Sequence, residues 1–425
     1  MQLDRPAPLW AGRTIALLGI LLVALSLRQA VAAISPIFDL VRVDIPLSSV
    51  AIGVIGMLPP ILFAASGLIA PPVARRLGLE FALVAALVLM VVGHLGRATA
   101  PNYTMLVISS VVALLGMGIG NVLLPPAVKR YFPDRIGLVT ASYATLLSVS
   151  TAVPALLAAP LADAGGWRMS LGVWALTAAV AIVPWAILVT RHRAEKARAV
   201  VDAAALENAV LEGVAAEETP ELEKVKTAVV GRLWRSPVAI AITIAFAVSS
   251  LNAYAAFTWL PEILVDITGM STFDSGIMLS IFSAAGLPAS IIAPILVARL
   301  KNVGWIVFAG VAFFVVGYLG LIFVPSTATV LWVILAGLGP VLFPVCLVLI
   351  NSRTRTHEGS VALSGFVQSV GYTLGALGPL VVGLLHDVTG GWTGPLVFLL
   401  LTALAGIYAA IALRSERFVE DELAR

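Results

Sequence analysis

A single arginine, Arg28, lies deep within an apolar stretch running from residue 13 to 38. At the 1.5 Å rise of a helix it sits about 22 Å from the start of that stretch and about 15 Å from its end. Burying a charge at that depth of a bilayer costs at least ~2.5 kcal/mol. Such a residue needs a wet cavity, an anionic ligand or a buried partner. Both a ligand-binding role and a structural pairing within the bundle are open. A guanidinium matches planar oxyanions at two points and repels a cationic guest in a low dielectric. Neutral polar groups recur in other apolar stretches: Asn121, Tyr143, Asn252, Tyr254, Gln368 and Tyr372. Gln29 adjoins Arg28 but is turned about 100° around a helix, whereas Gln368 and Tyr372, four apart, share a face. Amides and phenols beside one fixed cation suit a small anionic or strongly dipolar solute. Asn121 has a second reading, a hydrogen bond to a neighbouring helix. Trp259 reads either as lining the same path or as an interface anchor.

Carboxylates avoid the middles of these stretches: Asp39, Asp163, Glu262, Asp266, Asp274 and Asp387 fall at or near their ends. The four histidines, His94, His192, His357 and His386, are scattered, and the one cysteine, Cys346, lies in a late apolar run. No paired carboxylates, histidine cluster or metal-ligand spacing emerges, so neither a catalytic set, a metal nor a cofactor is expected, and the chain does not read as an enzyme. His94 and Glu262 are the candidates for moving a proton. Each reads more readily as a residue of the outer interface, with Arg97 as a charge neighbour on the third stretch.

The elements that must hold these residues follow from composition. Of 425 residues, 60% are hydrophobic and 12% charged, and the mean hydropathy is +1.04. A soluble domain carries roughly 25% charge. Twelve apolar runs cover 13–38, 48–74, 79–98, 103–128, 137–162, 169–190, 237–265, 274–298, 303–323, 329–351, 360–386 and 393–413. Each can cross a hydrocarbon core of ~30 Å, and backbone in lipid must bond to itself, which predicts helices. The alternation of a membrane β-strand is absent. The first run is too long for a cleaved leader, no small-residue cleavage site accompanies it, and a retained helix is expected. Residues 1–190 read as one six-helix bundle, 191–235 as a charged linker and 236–425 as a second bundle. The linker's end, 229–235, fits either an amphipathic surface helix or a flexible tether.

Basic residues mark alternate loops: Arg75 and Arg76; Lys129, Arg130 and Arg135; the linker; Arg299 and Lys301; Arg353 and Arg355. The opposite loops hold Arg42, Arg97 and Arg168. The excess of positive charge predicts cytoplasmic termini and linker. It also accounts for a pI near 9.1 without invoking nucleic acid.

The two sets of six are copies. Asp163-Ala164-Gly165-Gly166-Trp167 recurs as Asp387-Val388-Thr389-Gly390-Gly391-Trp392, at 387 − 163 = 224. Ala70-Pro71 and Ala74-Arg75 recur as Ala293-Pro294 and Ala298-Arg299, and Ser26-Leu27-Arg28 answers Ser250-Leu251-Asn252. Gly116-Met117-Gly118 with Pro125 answers Gly337-Leu338-Gly339 with Pro344. Four matches in one order at nearly one offset indicate duplication.

This plan resembles the major facilitator superfamily over essentially the whole chain. Leu25-Ser26-Leu27-Arg28, Gly120-Asn121-Val122-Leu123-Leu124-Pro125, Gln368-Ser369-Val370-Gly371-Tyr372 and Leu384-Leu385-His386-Asp387 with Thr389-Gly390-Gly391-Trp392 are similar to its cyanate permease and 2-nitroimidazole transporter branch. The resemblance implies a monomeric secondary transporter of the cell (inner) membrane. Its two pseudo-symmetric bundles would rock about a midplane site and carry a small anionic or nitro-bearing solute by alternating access. Pseudo-symmetry then places Asn252 opposite Arg28. The superfamily's loop between helices two and three carries an acid before Arg-x-Gly; here Arg75 precedes Arg76-Leu77-Gly78. Arg75 and Arg76 are therefore candidate gating residues with an altered relay, or topology signals alone. Other expectations remain open: a proton-coupled exporter of organic drugs, and a sensor that kept a transporter's fold, although no appended soluble domain is apparent for it to signal through.

Overall fold

The computed structural model describes residues 13–207, 233–300 and 302–423. The polar N-terminus through Trp10, Lys301 and the part of the 229–235 segment up to Arg232 lie outside these residues. Twelve membrane-length helical elements follow in order: α1 (Thr14–Asp44), α2 (Ser49–Leu77), α3 (Leu79–Ala98), α4 (Tyr103–Tyr131), α5 (Ile136–Gly172), α6 (Ala175–Glu207), α7 (Pro237–Thr268), α8 (Thr272–Arg299), α9 (Gly304–Phe323), α10 (Thr329–Ser352), α11 (His357–Thr389) and α12 (Thr393–Ala412). Ten are long and apolar enough to cross a membrane by length and composition, and α6, with its apolar part at Ala175–Arg191, and α8 complete the twelve. A short helix, α13 (Val419–Leu423), follows.

Polar side chains start these helices where the sequence offers them. Ser48 accepts from the Ala51 N–H, Asn102 from Met105, Ser236 from Ala239, Ser271 from Asp274 and Thr356 from Gly359, which satisfies donors that the first turn leaves free. Ends are equally local. Gly269 and Gly390 close α7 and α11 in the left-handed conformation, at φ 71° and 65°, where a side chain would be strained.

The repeat extends to contacts. Gly166 (φ 79°) breaks α5 just before Trp167, and Gly390 ends α11 just before Gly391-Trp392. Trp167 Nε1 donates to Asp44 at the end of α1 (3.0 Å), while Trp392 Nε1 donates to Asp266 near the end of α7 (2.7 Å). Each bundle thus ties its fifth-to-sixth corner to the far end of its first helix by the same indole–carboxylate bond.

Several boundaries differ from the sequence expectation. The first element extends to Asp44 rather than 38, because helix resumes at Phe38 after a turn through Ser35–Ile37. The sixth continues to Glu207, so the first part of the expected linker is helical. Its Ala- and Glu-rich composition favours this continuation.

Arg13 and the short helix α13 lie on the face where α1 begins, the terminal face. There Arg13 grips Asp134 at 2.6 Å, and this ion pair holds the Asp134 carboxyl down to about 2. Glu80 accepts from Tyr131 (2.5 Å) and pairs with Arg130 (3.1 Å). In the second bundle Arg355 pairs with Asp421 (2.9 Å), and Glu422 accepts from Ser236 and Val238. These bonds dock α13 and stiffen each bundle separately.

The bundles meet on the opposite face. There α2 crosses α11 with Gly53 and Gly56 against Pro379 and Leu380, while Ser280 on α8 donates to the Ala152 carbonyl of α5 at 2.7 Å. Small residues permit this approach of backbones. A Cβ on Gly56 would lie 2.7 Å from that of Pro379 and would also strike Thr258. Gly56→Val should therefore force this face open. With Ser275→Cys as reporter (Ser275 is fully buried on this face) and Cys346 itself buried, thiol labelling should accelerate several-fold over the Ser275→Cys parent. An unchanged rate would contradict this account of the seam.

Candidate functional site

On the terminal side the bundles diverge around a cavity of about 540 Å³, lined by Phe63, Asn121, Asn351, Ser364, Gln368 and Tyr372 among others. Arg28 does not line this cavity itself but lies against two residues that do, Phe63 and Tyr372, at a point where α1 is not continuous. The first helical piece stops at Ser26, Arg28 itself is non-helical (φ −129°, ψ −4°), and helix resumes at Gln29. The break rotates Arg28 so that its guanidinium lies 4.9 Å from the centre of the Phe63 ring. Its charge also bears on the hydroxyls of Tyr254 and Tyr372. Among the described residues no carboxylate forms an ion pair with it. A desolvated cation–π contact recovers about 2 kcal/mol, which offsets most of the minimum burial cost but supplies no negative charge. An anion entering the cavity would supply one.

Aromatic rings brace the inner end. Tyr372 meets Phe246 edge-on at 5.0 Å and lies 6.5 Å from Tyr254. One turn before Tyr372, Gln368 Nε2 donates to Ser364 Oγ at 2.7 Å, and both residues line the cavity. Asn121 lines the opposite wall. The structure thus brings Arg28, Asn121, Tyr254, Gln368 and Tyr372 into one neighbourhood.

It sends the other sequence candidates elsewhere. Gln29 is buried and accepts from Thr177 of α6 at 2.7 Å. Asn252, expected opposite Arg28, is fully buried and donates to Val248 and, at 3.4 Å, to Thr402 of α12. Its structural counterpart is therefore Gln29, since each amide ties the first helix of its bundle to the sixth. The reason is the break at Arg28, for which α7 has no equivalent: it runs unbroken through Asn252. Tyr143 is half-buried on α5 and is not among the residues lining this cavity. Trp259 is buried and donates to Pro379 of α11 at 2.8 Å, so it is no interface anchor. Arg75 and Arg76 end α2 exposed; the buried acid of that corner is Glu80, with Arg130 and Tyr131 as its partners.

His94 is wholly buried inside the first bundle, its Nδ1 3.2 Å from the Leu171 carbonyl. Glu262 pairs with Arg42 at 2.9 Å, joining α7 to the end of α1 across the closed face, and Arg42 also holds Asp39. Sequence reasoning placed Arg42 only in a loop inventory and Arg97 there and as a charge neighbour at the outer interface. Arg97 is in fact buried in the last turn of α3, bonded to the Ala30 carbonyl. Its position at the end of an apolar run concealed that it points back into the bundle.

The Arg42–Glu262 pair latches the closed face, and Glu262 is only 10% exposed. Glu262→Gln should weaken the latch by roughly 1.5–3 kcal/mol, raising the open population of this face about ten- to a hundredfold. The same thiol labelling of the Ser275→Cys reporter measures it. Reversing both charges (Arg42→Glu with Glu262→Arg) should restore much of the protection, and equal labelling in all three proteins would refute the latch.

Residues 17–339 match the Major Facilitator Superfamily. The chain is 33% identical to the uncharacterised transporter YycB of Bacillus subtilis (strain 168), over 92% of this chain and 91% of that protein. It is 30% identical to the 2-nitroimidazole transporter of Escherichia coli (strain K12), over 93% and 95%, and 23% identical to the cyanate transport protein CynX of the same strain, over 88% and 91%. A bacterial homologue of the lysosomal transporter Spinster superposes with a TM-score of 0.70 at 14% identity, covering 96% of this chain and 99% of that one. The twelve-helix fold, its duplicated halves and these likenesses agree: the chain belongs to the major facilitator superfamily and is a multi-pass membrane secondary transporter, not an enzyme.

Proposed function

We propose that the protein moves a small anionic or nitro-bearing solute across the cell membrane, binding it against Arg28 between the bundles. The guanidinium without a carboxylate partner, set against the Phe63 and Tyr372 walls of an otherwise neutral polar cavity, carries this reading. Tyr254 and Tyr372 hydroxyls and the Gln368 and Asn121 amides would complete the contacts. A nitro group and cyanate both present partial or full negative charge, and the named substrates of two relatives fall in this class. A cationic drug would meet repulsion from Arg28. The cavity lies within one chain, which supports a monomer as the working unit.

The terminal face carries Arg75, Arg76, Lys129, Arg130, Arg135, Arg299, Arg353 and Arg355. By the positive-inside rule this face is cytoplasmic, so the described conformation opens inward. The bundle boundaries at 1–190 and 236–425, joined by 191–235, fit a rocking exchange between this state and one open on the other side. No carboxylate or histidine is among the residues lining the cavity, which favours facilitated movement or anion exchange over proton drive. His94 and Glu262 are assigned structural and latching roles on the same grounds.

The test is thermal stability of the purified protein with cyanate, nitrate, 2-nitroimidazole or tetraethylammonium. A ligand at 100 times its Kd stabilises the folded protein by about 2.7 kcal/mol, so a saturable rise is expected with at least one of the first three. Losing a charge-assisted contact should weaken binding by about 10- to 100-fold in Arg28→Ala, with Arg28→Lys intermediate because it keeps the charge and loses the fork. Equal stabilisation of wild type and Arg28→Ala would overturn the site. A rise with the quaternary cation alone would favour the drug-exporter reading.

A further inference from the structure

A second, smaller chamber lies beyond Tyr254, toward the closed face. It is lined by Ser35 of α1, Arg97 of α3, Ser110 of α4, and Tyr254, Phe257 and Thr258 of α7, with apolar neighbours completing the wall. Its volume of about 20 Å³ exceeds the 10–15 Å³ that one water-sized particle needs. No nitroaromatic fits there.

The chamber's electrostatics are unbalanced. Arg97 is 1% exposed, and one of its terminal nitrogens donates to the Ala30 carbonyl at 3.0 Å. Its Nε has no partner, and neither has the hydroxyl of Ser35, which is 3% exposed. Among the described residues no carboxylate pairs with Arg97. The hydroxyls of Ser110 and Thr258 are already spent on the Leu106 and Tyr254 carbonyls of their own helices. Two free buried donors, one of them a full positive charge, therefore share one particle-sized space. Water would satisfy the hydrogen bonds but not the charge, and an uncompensated buried charge is strongly destabilising.

We propose that this chamber binds one small monovalent inorganic anion of about chloride's size, held by Arg97 and Ser35. Its walls come from α1, α2, α3 and α4 of one bundle and α7 of the other, so the bound anion neutralises Arg97 where the bundles meet. It thereby stabilises the conformation closed on this face. The site is separate from the solute position at Arg28, and its occupancy does not depend on which solute is carried.

The experiment measures radioactive chloride binding to the purified full-length protein by scintillation proximity, in sodium gluconate at constant ionic strength. Wild type should show saturable binding with one ion per chain, together with a chloride-dependent rise in melting temperature. Arg97→Gln should abolish both. Ser35→Ala removes a single hydroxyl, so it tests the site even if Arg97→Gln fails to fold, and it should weaken binding about tenfold. Arg28→Ala should keep chloride binding while losing the solute response, which separates failure of this site from failure of the solute site. Absence of saturable chloride binding by folded wild type would overturn the proposal. So would binding that Arg28→Ala removes and Ser35→Ala leaves intact.

Discussion

A guanidinium without a counter-charge, set where α1 gives up its helix, governs the architecture around the central cavity. A straight first helix would turn Arg28 with its neighbours, whereas the observed break releases it from the helical register. The cost of the break is limited because the freed backbone is reused: the Arg28 carbonyl accepts from Val31 and Ala32. Phe63 then offers a π-face and the tyrosines offer dipoles. None of these neutralises the charge. On the proposed function, such a shortfall of negative charge would draw an anion in, and a neutral polar lining would leave discrimination to shape and hydrogen bonding.

The duplicated halves divide their labour because of this break. Gln29 and Asn252 perform the same structural task, each tying the first helix of its bundle to a threonine on the sixth, Thr177 or Thr402. The Trp167–Asp44 and Trp392–Asp266 bonds likewise repeat. What does not repeat is the interruption at Arg28. The first bundle thus contributes the fixed cation, and the second contributes aromatic hydroxyls and an amide on α7 and α11. Conserving scaffold bonds while breaking symmetry at one helix lets two copies of a fold form one site with unlike walls.

Much of this was legible in the sequence, and the remainder fails for identifiable reasons. Apolar run length and alternate-loop charge specify twelve helices and their order, because lipid leaves the backbone few alternatives. The repeat locates Gly166 and Gly390 as corners because left-handed backbone demands glycine. Arg28, Tyr254, Gln368 and Tyr372 stand out as polar groups inside apolar runs. Asn252 misleads, since aligning residues by offset assumes both copies keep one helical register, and a single interruption shifts the facing residue by one. The directions taken by Arg97 and Arg42 are hidden for a different reason. A charge at the end of an apolar run looks the same in sequence whether it turns out to solvent or folds back beneath a neighbouring helix.

The two faces are held by different physics, and this difference determines what motion the molecule can make. On the closed face the bundles touch through glycines, through the Ser280–Ala152 bond and through the Arg42–Glu262 pair. Backbone contact of this kind is all-or-none, because a packed seam loses its dispersion energy over a fraction of an ångström. On the terminal face Arg13–Asp134, Arg130–Glu80 and Arg355–Asp421 each staple parts of a single bundle. The bundles can therefore separate or approach there without breaking those bonds. Halves braced internally, a close-packed seam on one side and internally satisfied rims on the other suit a rocking of one half against the other. Tyr254 neighbours Arg28 and Tyr372 on one side and lines the Arg97 chamber at the seam on the other. It is the side chain through which charge arriving at one would be felt at the other.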